Sequence, residues 1–216
     1  MSFSKNHYIA AALVVAILFA VINLLRACKP VEEEIDLTIY GGLGGFAATK
    51  AIEYLGGNGT VVLILLDDSI RDVYGKDQYA LTETIKQSDC RIKSIELVSP
   101  GPLRTNPAAI HSGVLPLDEL QRIENKYPKV DALISFAGAP VLSDEALPER
   151  ATDAPKLIIA NPVGESGVFE LIESGYVSMA VVHRRDAAAS AGFGGVMTVE
   201  ELEEVYEVVT IDEYAE

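Results

Sequence analysis

Asp67 and Asp68 end the apolar run Thr60–Leu66, and His183, Arg184 and Arg185 follow the run Val177–Val182. Paired carboxylates at the end of a strand can accept hydrogen bonds from hydroxyl groups or hold a cation. An imidazole beside guanidinium groups suits a carboxylate or a phosphate, which arginine grips as a fork. Each cluster also has a structural reading: Asp67-Asp68 as a solvated strand end, and the basic cluster as the partner of local acids such as Asp186. Ser135 and Asn161 stand at the ends of the runs Ala132–Phe136 and Leu157–Ala160. Ligands of open α/β sheets bind at the carboxyl ends of the strands. That rule selects Asp67, Asp68, Ser135, Asn161, His183 and Arg184 as candidate ligand contacts. A different chemistry is offered by Gly42, Gly44 and Ala47, which match G-x-G-x-x-G/A after the run Ile35–Tyr40. Glycines there let the backbone turn sharply and approach a pyrophosphate at a helix N-terminus. The competing reading is a tight strand-to-helix turn and nothing more.

Other reactive residue types lack a chemical setting. His111 lies in a proline-rich stretch with no ligand-like partner nearby, and Cys90 sits between Asp89 and Arg91 as an ordinary thiol. No H-E-x-x-H, C-x-x-C, phosphate-binding loop or G-x-S-x-G occurs. Metal-assisted hydrolysis, loop-bound nucleotide hydrolysis and serine hydrolysis therefore have no support. The expectation is a binding protein without catalytic residues, metal or resident cofactor.

The elements that must position these residues are legible as alternating patterns. Short, continuous, β-branched runs mark strands at Ile35–Tyr40, Thr60–Leu66, Ile92–Val98, Ala132–Phe136, Leu157–Ala160 and Val177–Val182, with Val208–Ile211 as a closing strand. Helical patterns begin near Gly45, Lys76, Pro116, Glu165 and Ala187, and Thr198-Val199-Glu200-Glu201 opens a last short helix as a capping box. Leu117, Leu120, Ile123 and Tyr127 recur every three or four positions, which makes one apolar helical stripe that Pro128 ends. Gly175 reads as a helix stop. Continuous apolar strands between helices predict a mostly parallel sheet covered on both faces, a Rossmann-like three-layer α/β/α sandwich. The stretch Ser99–Val114 is the longest loop.

Residues Tyr8–Leu25 form an almost unbroken apolar run. Eighteen helical residues span roughly 27 Å, about the thickness of a bilayer's hydrocarbon core. Two readings of residues 1–30 stand: an uncleaved transmembrane anchor, or a lipoprotein-type signal in which Leu25-Arg26-Ala27-Cys28 resembles a lipobox and Cys28 takes the lipid. Residues 31–216 then form one domain. The chain has 17 basic and 32 acidic residues; Lys5, Arg26 and Lys29 belong to the anchor region, which leaves the domain 14 against 32 and a net charge of −18. Such a charge opposes binding to nucleic acid.

Two resemblances add expectations. The glycine turn, together with Asp131-Ala132-Leu133-Ile134-Ser135-Phe136-Ala137-Gly138, resembles the nicotinamide-binding part of short-chain dehydrogenases. That family's Tyr-x-x-x-Lys is absent, so this resemblance implies at most a degenerate NAD(P)-binding domain. The second covers roughly Ile35 to Glu216. It rests on Gly44–Ala48 with Leu55–Val62, on Pro128-Lys129-Val130-Asp131-Ala132-Leu133-Ile134, on Leu171–Val182, on Ala191-Gly192-Phe193-Gly194-Gly195-Val196 and on Val208–Tyr214, in that order. These pieces resemble the C-terminal lobe of type I periplasmic binding proteins, the sugar-binding kind that feed ABC transporters. The resemblance implies a small-molecule ligand of the carbohydrate class, an extracytoplasmic domain at the membrane, and a permease, second lobe or second subunit as partner. A ligand-free interaction domain is the remaining alternative. The chain departs from the family at Ala137-Gly138-Ala139-Pro140, at Asn161 and at His183-Arg184-Arg185, where other polar residues are usual.

Overall fold

The computed structural model describes residues 42–67, 71–99, 115–140, 150–151, 153–161, 167–184 and 199–213. The apolar run 8–25, Cys28, the expected strand 35–40, Asp68, His111, Arg185 and the helix expected near Ala187 lie outside them. Among the described residues no helix is long and apolar enough to cross a membrane.

The described elements alternate along the chain. They are α1 (Leu43–Tyr54), β1 (Asn58–Leu66), α2 (Arg71–Lys86), β2 (Asp89–Val98), α3 (Leu117–Lys126), β3 (Ala132–Ser135), β4 (Lys156–Ile159), α4 (Val168–Glu173), β5 (Met179–His183), α5 (Val199–Val205) and β6 (Tyr206–Thr210). A short 3₁₀ turn, Ile211–Glu213, replaces the end of the expected closing strand. The strands form one six-stranded sheet in the order β2-β1-β3-β4-β5-β6. All neighbours are parallel except β5 and β6, which pair antiparallel from Met179↔Thr210 to His183↔Tyr206.

The side-chain period of two sorts each strand between two cores. Val62, Ile64, Leu133, Leu157, Ile159 and Val182 pack with Leu120 and Ile123 of α3 and Leu171 and Ile172 of α4. Val61, Leu63, Ile134, Ile158 and Val181 face the other way, onto Phe46 and Ala51 of α1, Leu81 and Ile85 of α2 and Leu202 of α5. Both faces being covered explains why β3 is buried at every position. Cys90, which reads as polar surroundings in sequence, is a buried free thiol in the α2-side core.

Local chemistry fixes the helix ends. α1 and α4 both stop in the same glycine-dependent turn. Gly56 N–H donates to Glu53 O and Gly57 N–H to Ile52 O; Gly175 N–H donates to Ile172 O and Tyr176 N–H to Leu171 O. Gly56 and Gly175 have φ of 74° and 75°, a conformation that costs other residues energy. α3 starts after Pro116, carries Asp118 and Glu119 in its first turn and Lys126 in its last, the arrangement that suits the helix dipole.

β2, the terminal strand of the described sheet next to β1, is irregular. Val61 pairs with Ile92 but Val62 pairs with Ser94, so Lys93 is an extra residue. The bulge changes which face each later residue takes. Cys90 and Ile92 join the α2-side core, whereas Ser94, Glu96 and Val98 turn towards α3.

Candidate functional site

The strand order reverses at β1: β2 lies on one side of it and β3, β4 and β5 follow on the other. Such a reversal opens a crevice at the carboxyl ends of β1 and β3, the usual ligand position in sheets of this kind. Asp67 follows β1 there. Its N–H donates to Val98 O at 3.0 Å, and its Oδ2 accepts the Ser99 hydroxyl at 3.1 Å. The carboxylate is half-buried and retains acceptor capacity beyond Ser99.

Ser135 and Asn161 are at the same edge but face inwards. Ser135 is fully buried, and its hydroxyl donates to Gly138 O at 2.8 Å, closing the turn after β3. Asn161 is 1% exposed and its Nδ2 donates to Phe136 O at 3.1 Å. The two side chains shape the loop 136–139 that borders the crevice. His183, at the end of β5, sets its ring 4.9 Å from that of Tyr206. Arg184 N–H donates to Val205 O, and its exposed side chain lines an open hollow of about 640 Å³ with Lys50, Tyr54, Glu203 and Thr210. In that hollow Lys50 stands 3.2 Å from Glu203 and 3.5 Å from Glu53. The hydrogen bond to Glu203 is the main cause of a raised Lys50 pKa.

The edge therefore presents a row, not a cluster. β1 and β5 are three strand spacings apart in the sheet order, roughly 14 Å. Asp67 and Ser135 belong to neighbouring strands; His183 and Arg184 lie at the far end, with Arg184 directed to the hollow between α1 and β6. One small molecule would touch the Asp67 end or the Arg184 end.

The glycine turn has a different use from the one a pyrophosphate would need. A Cβ on Gly44 would stand 1.8 Å from the Asp77 carbonyl oxygen, and one on Gly42 would stand 2.8 Å from Asp77 Oδ1. Asp77 of α2 also accepts the Gly44 N–H at 3.4 Å. Its carboxylate takes the position at the start of α1 where an anionic ligand would sit, and burial raises its pKa against the opposing pull of that N–H. Ala47 is fully buried in the same contact region. The small residues at 42, 44 and 47 serve the close approach of α1 and α2, and this packing does not favour a dinucleotide there.

Two polar clusters on the flanks of α3 have no signature in the sequence. On the β2 side, Glu96 is 9% exposed and accepts hydrogen bonds from Tyr127 Oη at 2.5 Å, Lys126 Nζ at 2.9 Å and Arg122 Nη2 at 3.3 Å. Burial alone would raise its pKa; the hydrogen bonds from Tyr127, Lys126 and Arg122 overcome this and hold it at about 2. On the other side, Arg150 reaches Glu124, Pro155 and Tyr176. No spacing rule connects those four positions, which separate elements bring together. Among the described residues no group of three or more His, Cys, Asp or Glu is placed to hold a metal ion.

No protein-family model and no curated protein matches the chain. Solved structures similar to it include solute-binding proteins of ABC transporters. The arabinose-binding protein AraP of Geobacillus stearothermophilus is 13% identical, with a TM-score of 0.46 over 82% of this chain and 62% of that one. A sugar-binding protein of a Bacillus halodurans sugar ABC transporter is 18% identical, with a TM-score of 0.41 over 67% of this chain and 45% of that one. An ABC transporter solute-binding protein of Bradyrhizobium sp. BTAi1, with bound Bis-Tris, is 12% identical, with a TM-score of 0.46 over 82% and 52%. The chain thus spans less than two thirds of the length of each.

Proposed function

We propose that the domain of residues 31–216 is a small-molecule binding module with carbohydrate as its ligand class. In this reading residues 8–25, or a lipid on Cys28, hold it at the outer face of the cytoplasmic membrane, beside a permease, a second lobe or a second subunit. The observation that carries the reading is the reversal of strand order at β1, with the Asp67 carboxylate half-exposed at the crevice it opens. The order of the motifs along Ile35–Glu216 that resemble a sugar-binding lobe supports the ligand class. A carboxylate with acceptor capacity left over suits vicinal hydroxyls, each of which donates one hydrogen bond. Ser135 and Asn161 would act at one remove, by fixing the loop that walls the crevice.

Thermal-shift measurement of the full chain against sugars, nucleosides and NAD(P) tests this. A ligand that binds only the folded state raises its melting temperature. A sugar is expected to do so, and Asp67→Ala to abolish the effect. A shift with NAD(P) alone would overturn the reading. Silence from every compound would favour an interaction domain that binds no small molecule.

A further inference from the structure

The hollow beside α1 has the form of a groove that follows β6. It is open, has a volume of about 640 Å³, and is lined by Phe46, Lys50 and Tyr54, one flank of α1 at four-residue spacing. Facing them are Tyr206, Val208 and Thr210, the alternate positions of β6. From Phe46 to Tyr54 a helix rises ~12 Å, and a strand of the length of β6 covers about 17 Å. The groove therefore runs with the strand. Among the described residues β6 pairs only with β5, so its other edge offers main-chain donors and acceptors along the groove. A helix flank beside an open strand edge is the shape that takes one more extended segment.

Topology narrows which segment that is. α1 and α2 cover the same face of the sheet, with Phe46 and Ala51 in one core with Leu81 and Ile85. The step from β1 through α2 to β2 joins parallel strands. Such crossovers are right-handed in nearly all proteins. A strand that feeds β1 through α1, on that same face, therefore approaches from the side opposite β2. On that side β3, β4 and β5 are each paired on both edges, and the open edge among the described strands is the outer one of β6. Leu37-Thr38-Ile39-Tyr40 ends just before Gly42, the N-cap of α1. It is rich in strand-forming residues, and an extended chain puts Leu37 and Ile39 on one face.

We propose that the groove between α1 and β6 is the docking site of Leu37–Tyr40, which pairs antiparallel to β6 and sets Leu37 and Ile39 against Phe46 and Val208. The direction follows from the fold: a strand parallel to β1 is antiparallel to β6. The groove is then filled by the chain itself, and the Arg184 end of the row is taken out of the search for a ligand. The assignment does not rest on the carbohydrate reading, because Asp67 has no part in it.

The test is hydrogen exchange and disulfide trapping on the full chain. The amides of Leu37–Tyr40 that face β6 should exchange about a hundredfold more slowly than in an unfolded peptide, or slower still. Exchange at the unfolded rate throughout Leu37–Tyr40 would overturn the proposal. For trapping, Cys28→Ser removes the thiol nearest the segment, and Cys90 is buried. Glu207 alternates with Val208, so it shares the face of Thr38 and Tyr40. Under mild oxidation Glu207→Cys should join Thr38→Cys or Tyr40→Cys within one molecule, and should not join Ile39→Cys. Lys93→Cys, on β2 at the other end of the sheet, should join none of them. Capture by Lys93→Cys, or equal capture of both faces by Glu207→Cys, would overturn the assignment. A bond formed only between two molecules would overturn it too, and would give the groove to a second copy.

Discussion

The two flanks of α3 solve the problem of charge near a core in opposite ways. Towards β2, one nearly buried carboxylate, Glu96, is surrounded by cations that are themselves half-exposed: Arg122 at 47% and Lys126 at 50%. Its oxygens accept from four side chains, those of Ser94, Arg122, Lys126 and Tyr127, and Arg122 is further engaged by Glu119. Towards β4 and β5, cation and carboxylate are both enclosed, and main-chain carbonyls do most of the holding. The first cluster is saturated. The second keeps polar atoms in reserve. Saturation marks a device for stability; the second cluster carries unpartnered polar atoms that are closed off from solvent.

The comparison breaks most easily at Arg150. Removing one member of an enclosed pair strands its partner, so Arg150→Ala should destabilise the domain by about 3–5 kcal/mol in chemical denaturation. A loss below ~1 kcal/mol would mean that Glu124 is solvated and that the two flanks are alike. At the saturated flank, Glu96→Gln should cost about 1–3 kcal/mol, the range for hydrogen bonds to a charged group and for a polar group left poorly paired. Folding lowers the Glu96 pKa from 4.5 to about 2, so between those values the unfolded chain binds the extra proton. Its contribution is complete above about pH 4.5 and fades as pH falls towards 2. Denaturation curves across that window should converge for the parent and Glu96→Gln; a constant gap would contradict the assigned network. The smallest effect is expected from Tyr176→Phe. Deleting a hydroxyl that has no partner should change stability by less than about 0.5 kcal/mol, or raise it. A loss above ~1 kcal/mol would show the hydroxyl to be satisfied already and would remove the contrast between the flanks.

The sequence revealed the frame well because the frame rests on local periodicity. Val61–Leu66 is apolar at every position because both faces of β1 are covered. Leu120 and Ile123 recur at helical spacing and are the buried face of α3. Gly175 ends α4 as its position suggests. The hidden features depend on distant partners. Gly44 is a packing residue because Asp77, 33 positions later, lies against it, and the local motif is the same as that of a phosphate turn. Ser135 and Asn161 were legible as residues at strand ends, but the direction of their side chains was not: both turn to main-chain carbonyls. The Arg150 cluster joins positions from 124 to 176 with no shared pattern. Glu96 has no marker of its own in the sequence, and the bulge at Lys93 turns it onto α3.

That bulge places one residue of β2, Lys93, outside the alternation of the strand. Almost any side chain could stand at position 93 without altering the pairing of Ser94–Val98. Deleting that position would set Ser94 directly after Ile92 and still opposite Val62, so those residues would keep their faces; drawing Lys93 into the ladder as a regular residue would exchange them, bringing Ile95 and Leu97 beneath α3 and driving Glu96 away from its cations. A scan of single-residue deletions along β2 would therefore find position 93 the tolerant one.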